Sequence, residues 1–305
     1  MCCATPRSAK SRRPSCSAGP ASTPSGSRRA PASTSSTTAS SSAPRCGAIS
    51  LGSPFHNAEF SYLVSVAEAE LKIPVTGAYT LADWSFDERD RTPENLLQPA
   101  AERSRQRKAA RREFVLEVAR NLIRPNLEAL ILLGARWIQV DEPGASTEAD
   151  ELDLFVDSFN ASVEGLNAMF STHLCFSDYN LFFPAIERME HCQQFAVGFA
   201  NYDSRELGTS DAARPGYQVI KKFRDLPYTP ALGLGVLDIH SDFIESPELV
   251  RDRVLYAVKV FGDANRIHVT PDCGLRTRSW KVAYEKLRNM TAGVRMARQQ
   301  LGLKT

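Results

Sequence analysis

The sequence predicts an α/β fold, built of parallel strands joined by helical crossovers. Three observations carry that reading. Short apolar, β-branched runs recur six times from about residue 57 onward. Longer segments of helical period lie between them. Nearly every run ends in polar or reactive residues, and parallel α/β folds collect ligands at the carboxyl ends of their strands.

The elements follow in order. Residues 72–80 (KIPVTGAYT) read as a strand ending in a polar loop. Val115, Val118, Ala119 and Leu122 stand at helical spacing, Pro125 interrupts, and a second stripe continues through Leu127, Leu130 and Ile131. Residues 136–141 (RWIQVD) form a strand that exits through Asp141, Glu142 and Pro143. The remaining strands are expected at 170–176, 195–201, 231–239 and 266–272. Between the last two lies a helix with its own punctuation. Ser246 is its N-cap, Pro247 takes the first helical position and Gly262 follows the end. Its buried stripe is Val250, Val254, Ala257, Val258 and Phe261. A C-terminal helix carries Ala283, Leu287, Met290, Val294, Ala297 and Leu301 on one face. Six strands in a body of this length leave two architectures: an open parallel sheet, or a barrel missing its first two strands.

Composition bounds the function. The chain has 305 residues, 43% hydrophobic and 24% charged, with a formal net charge of +2. Residues 1–50 hold seven Lys or Arg, 14 serines and no acid, so the rest of the chain is acidic overall. No stretch approaches the roughly 18 apolar residues of a membrane span. The basic run Arg103 to Arg112 has no interleaved aromatics and reads as a solvated helix face, so neither membrane nor nucleic acid is expected as a partner. Residues 1–55 are expected to form a disordered Ser/Arg-rich tail, lacking the apolar surface to offset their ordering entropy. Their acid-free, Arg-rich composition is also that of an organelle transit peptide. Three body cysteines, Cys175, Cys192 and Cys273, are too few for a disulfide scaffold and suggest a reducing compartment.

The candidate chemistry sits at the strand ends. His173 and Cys175 are two apart, so on a strand they share a face. Imidazole and thiolate are zinc ligands, and Cys273 offers a second thiolate from another strand. The competing reading is a packed histidine beside a buried cysteine. His240 is either a proton donor at a strand end or a loop histidine bonded to backbone. Asp141 and Glu142 are either acid–base or ammonium-holding groups, or an acidic pair at a helix start. Trp84 is a stacking surface for a planar ring or a core residue. Cys192 is expected to fill a helix or its end, without a functional role.

At these residues a resemblance emerges. WIQVDEP (137–143), HLCFSD (173–178), GVLDIHS (235–241) and PDCGLRTRSW (271–280) resemble the catalytic C-terminal barrel of cobalamin-independent methionine synthase. The stretch VTGAYTLADWSF (75–86) is similar to that family's folate-side loop. The resemblance spans residues 60–300 in order. It implies a TIM (β/α)8-type barrel over residues 56–305. The family's first two strands fall where the Ser-rich tail lies, so the barrel is expected to lack them. It also implies transfer of a methyl group from 5-methyltetrahydrofolate to homocysteine, giving methionine, with zinc on the homocysteine sulfur. The matching zinc ligands are His173, Cys175 and Cys273. Asp141 matches the group that holds the homocysteine amine, Trp84 a folate-contacting tryptophan and His240 the proton donor. Methionine synthesis suits the cytoplasm. One departure stands out: the family's fourth ligand, a glutamate, aligns with Gly198. Asp178, Asp203 and Glu206 are conceivable substitutes. Two alternatives follow from the departures: a catalytically impaired barrel that binds metal or a partner, and a thiol methyltransferase using a corrinoid methyl donor.

Overall fold

The structure is a computed structural model that describes residues 56–85, 97–145 and 149–304. The expected tail, residues 1–55, lies outside the described residues. The six expected strands are all present: β1 (Lys72–Thr76), β2 (Trp137–Asp141), β3 (Met169–Leu174), β4 (Gln194–Val197), β5 (Ala231–Gly235) and β6 (Ile267–Thr270). They form one sheet in sequential order, and every neighbouring pair is parallel.

The sheet curls as a barrel wall does. In a flat sheet, β2 and β6 would stand four strand spacings apart, about 19 Å. The rings of Trp137 on β2 and His268 on β6 are 5.4 Å apart, centroid to centroid. Gln194 on β4 bridges toward both edges, with its amide 2.6 Å from His268 Nδ1 and its oxygen 3.4 Å from Lys72 Nζ on β1. These contacts cross the concave face of the sheet. Sequential parallel order with such curvature is the (β/α)8 pattern, with six strands among the described residues.

The two faces of the sheet divide the labour. Ile138, Val140, Phe170, Leu174, Phe195 and Leu234 are buried against the helices and make the main core. The interior face carries Lys72, Gln139, Asp141, His173, Gln194 and His268. Period-two alternation thus puts apolar bulk outside and chemistry inside.

Most strands end earlier than the apolar runs suggest, because the chain turns off the sheet into the site-forming loops. After β1 it enters a short helix, α2 (Ala78–Asp83), rather than a loop; α1 (Asn57–Val66) precedes β1. Pro125 does not break the long helix. The rod runs α3 (Ala100–Val118), a π-helical turn (Ala119–Ile123) and α4 (Arg124–Leu132), with Pro125 among the first residues of α4. The wider π turn accommodates a residue without an N–H whose ring crowds the carbonyl four residues earlier. The basic run on α3 is mostly exposed, as expected of a solvated helix face, with Arg111 the exception among its charged residues. Arg111 is half-buried, binds Glu151 and Asp83 at 2.7 and 3.0 Å, and lies 5.3 Å from the Tyr79 ring centroid. Lys108 and Arg112 pair with Asp150 and Asp157.

Helix α5 (Leu152–Val163) lies between β2 and β3 in the chain, and the short α6 (Ile220–Arg224) precedes β5. In α7 (Pro247–Phe261) the Ser246 hydroxyl accepts from the Leu249 amide, and Gly262 closes the end at φ 87°. The C-terminal helix, α8 (Trp280–Gln300), packs along α7 largely on the expected face: Ala297 is buried, and Met290 and Val294 pack against the core. Leu287 and Leu301 are exposed, while Lys286 and Gly293 are buried. Apolar periodicity missed the last two because one is a glycine and the other a lysine.

Candidate active site

Strand register assembles the site. Across the sheet, Thr76, Asp141 and His173 occupy one row, with Ala196, Gly233 and His268 continuing it. Asp141 is therefore the direct cross-strand neighbour of His173. Cys175 lies two residues beyond His173, just past the end of β3. Cys273 lies three residues beyond the end of β6. One ligand atom from each of His173, Cys175 and Cys273 falls within 4.8 Å of the others. Among the described residues this is the group of histidine, cysteine and carboxylate side chains able to hold a metal ion.

The electrostatics suit that use. His173 is buried, and its Nδ1 lies 3.1 Å from the Ala196 carbonyl. A proton on Nδ1 serves that carbonyl and leaves the Nε2 lone pair for a ligand. Nε2 is itself buried and makes no hydrogen bond. Burial works against a charged imidazole, but the nearby Cys273 sulfur and the Asp141 carboxylate outweigh it and raise the His173 pKa. The Cys175 thiol, opposed by burial and joined by the His173 imidazole, holds the Cys273 thiol well below the ordinary thiol range. Burial raises the Asp141 carboxyl, partly offset by His173 and by the Gln139 amide, which donates to it at 2.8 Å.

His240 follows β5 with its imidazole exposed, and its backbone N–H donates to Asp238 Oδ1 at 2.9 Å. Its ring packs 4.5 Å from that of Phe176, the residue after Cys175. Trp84 ends α2 and is 56% exposed, so it is not a core residue.

A family model described as "Cobalamin-independent synthase, Catalytic domain" matches residues 30–298. The chain belongs to this family. It is 36% identical to the methionine synthase of Thermoplasma volcanium over 251 residues, 77% of this chain and 66% of that one. It is 35% identical to the methionine synthase of Thermoplasma acidophilum over 243 residues, 78% of this chain and 67% of that one. For the methionine synthase of Pyrococcus furiosus the identity is 32%, over 76% of this chain and 58% of the relative. The chain thus spans about two thirds or less of the length of these relatives. In fold it is similar to a B12-independent methionine synthase from Shewanella sp. in complex with selenomethionine. The TM-score is 0.66 at 19% identity, covering 82% of this chain and 68% of that one.

Within this cobalamin-independent synthase barrel, the structure separates the two adjacent acids. Asp141 faces the interior, and Glu142, one residue on, points the other way. The Glu142 carboxylate is buried and accepts from the amides of Tyr79 and Thr80 at 3.2 and 2.8 Å, capping the start of α2. Burial, partly offset by those bonds, pushes its pKa to about 7. Gly77 is required beside it, since a Cβ there would meet Glu142 Oε1 at 2.0 Å.

Gly198 is less tightly confined. A Cβ there would lie 3.1 Å from Asp272 Cβ and its carbonyl oxygen, and 3.3 Å from the Tyr179 hydroxyl. No described carboxylate replaces the missing donor. Asp178 caps a short 3-10 turn at Tyr179–Phe182, Asp203 is buried between Arg214 and Arg253, and Glu206 is exposed. Asp272 is buried and accepts from the amides of Ala200 and Asn201, which ties the β4 loop to the segment bearing Cys273. Cys192 is buried in the turn before β4 and donates to the Gln194 carbonyl.

Sequence reasoning missed Phe176 and Tyr202. Phe176 adopts φ 51°, rare for a bulky residue, and is 53% exposed. Its ring stacks on Tyr202 at 6.1 Å. Only the position after Cys175 pointed to it, because backbone handedness leaves no mark in composition.

Proposed function

We propose that the chain catalyses zinc-dependent transfer of a methyl group from a methylated folate to the thiol of homocysteine, giving methionine. The observation that carries this is the cluster of His173, Cys175 and Cys273, one ligand atom from each lying within 4.8 Å of the others. Two thiolates and an imidazole are the donor set zinc prefers. Tetrahedral bonds of about 2.0–2.3 Å would put ligand atoms roughly 3.5 Å apart, inside the 4.8 Å within which these atoms lie. Gly198 has no donor atom, so a zinc held by these three residues would keep a position for substrate, as catalytic zinc sites do. Zinc bound there stabilises the substrate sulfur as a thiolate at neutral pH.

The remaining roles fall to the chain. His173 keeps its Nδ1 proton on the Ala196 carbonyl and so presents Nε2 in the correct tautomer. Asp141 receives the substrate ammonium group and fixes the amino-acid end. Trp84 offers a stacking surface to the planar donor ring. His240 delivers a proton to the donor nitrogen. The carbon–nitrogen bond then breaks as the sulfur–carbon bond forms, and the nitrogen leaves as a neutral amine. The family membership and the relatives named methionine synthase support this reading. Residues 56–305 form the catalytic unit and act in the cytoplasm on small molecules.

The test is metal analysis beside an assay for methionine from homocysteine and methylfolate. About one zinc per chain is expected, lost in Cys273→Ser together with activity. Protein that binds no zinc overturns the proposal. Turnover with methylcobalamin and none with folate moves the donor to a corrinoid.

A further inference from the structure

We infer that Lys286, on the C-terminal helix, positions His240 by templating the loop that carries it. The inference rests on the role proposed above for His240, and its structural half is tested independently.

The loop after β5 runs from Asp238 to Ser246, the N-cap of α7, and its residues include the exposed His240. Within this loop His240, Asp242 and Ile244 are exposed, while Ile239 and Glu245 are buried. Here the backbone is gathered round one buried ammonium. Lys286 Nζ donates to the Asp238 carbonyl at 2.9 Å, to the Phe243 carbonyl, and to Glu245 Oε2 at 2.8 Å. A lysine has three N–H donors, and all three are used. Both side chains are fully buried.

Glu245 closes the ring. Its Oε1 accepts from the Asp238 amide at 2.8 Å, and its own carbonyl accepts from Asn289 on α8 at 2.8 Å. Asp238 is therefore held at both its N–H and its C=O, and its side chain in turn accepts the His240 amide at 2.9 Å. Two peptide bonds separate the clamped residue from His240. Arg253 extends the anchorage, donating to the Val236 carbonyl at 2.9 Å and to the Ser204 carbonyl at 3.1 Å. The loops after β4 and β5 share this one support.

A buried ion pair is poor evidence of stability, because desolvation offsets much of its attraction. A hydrophobic pair would fill the same space. What it would not supply is three directed bonds that fix a loop backbone. The imidazole packs against the Phe176 ring. Lys286 is a positioning residue: it touches no substrate and acts through Asp238.

The test uses the full chain loaded with zinc. Single removal of Lys286 strands a buried carboxylate, so the informative variant is the double one, Lys286→Met with Glu245→Gln. It is expected to fold, to keep its zinc and to keep its KM for homocysteine. Its kcat is expected to fall about tenfold or more, a share of the 10²–10⁴ that a general acid supplies. Amide exchange at Asp238 and His240 is expected to accelerate by a similar factor. In the unaltered protein these amides are expected to exchange in the same opening event as the centre of α8. That last measurement needs no variant and no activity. Independent, fast exchange of the 238–245 loop overturns the inference. So does a folded double variant with unchanged kcat, or one that loses only KM. An unaltered protein without methyl transfer sinks the proposed function instead, and the exchange data still decide the brace.

Discussion

Replacing Gly293 by alanine tests how closely α8 is seated and what that seating does. The added Cβ would meet the Pro247 carbonyl oxygen at 2.5 Å, Val250 Cβ at 2.6 Å and Val250 Cγ1 at 2.8 Å. Two opposing effects must be weighed. Alanine favours a helix over glycine by about 1 kcal/mol. Overpacking a well-filled contact costs about 1–3 kcal/mol. Two of the three atoms here are backbone oxygen and Cβ, which cannot rotate away, so the upper part of that range applies. The net loss is about 1–2 kcal/mol, which lowers the melting temperature by roughly 2–8 °C in a protein of this size. The relief available is for α8 to move off α7, and that withdraws Lys286, two turns earlier, from the Asp238 loop. Activity should therefore fall further than the folded fraction does. Urea titration and methyl-transfer kinetics on the same samples check both parts. A variant as stable as the parent, or more so, shows that α8 has latitude at residue 293, and the reasoning fails.

Other perturbations separate local effects. Asp157 accepts from Arg112 and Arg188 at 2.7 and 2.8 Å; although burial opposes it, the two arginines hold its pKa below the ordinary value. A depressed native pKa adds stability above the unfolded-state value, lost as pH falls through the native one. Asp157→Asn should thus cost about 1 kcal/mol or less at pH 7, and urea midpoints of parent and variant should converge in strong acid. Phe176→Gly should release about 1 kcal/mol of left-handed strain while removing the ring beside His240, so kcat falls with stability held. A drop in melting temperature of many degrees would contradict that. Cys192→Ala should lower stability by about 1–2 kcal/mol and leave zinc content unchanged. Metal loss in this variant would mean that the fourth position is filled from the turn before β4.

The repeating apolar runs determined the six strands, because a strand buried on its helix-facing side must be apolar at alternate positions whatever surrounds it. Local signals also determined α7, since Ser246, Pro247 and Gly262 satisfy helix ends by short-range bonds. His173 and Cys175 were legible as a pair because two residues on a strand share a face. That Cys273 closes with them is a matter of curvature, and curvature sums small twists over the whole sheet. Only tertiary structure could divide Asp141 from Glu142, seat Gly293 against α7, or give Lys286 a buried carboxylate 41 residues away. A lysine on an amphipathic helix is indistinguishable in sequence from a solvated one; the partner that buries it arrives from another strand's loop, and no local rule reaches that far.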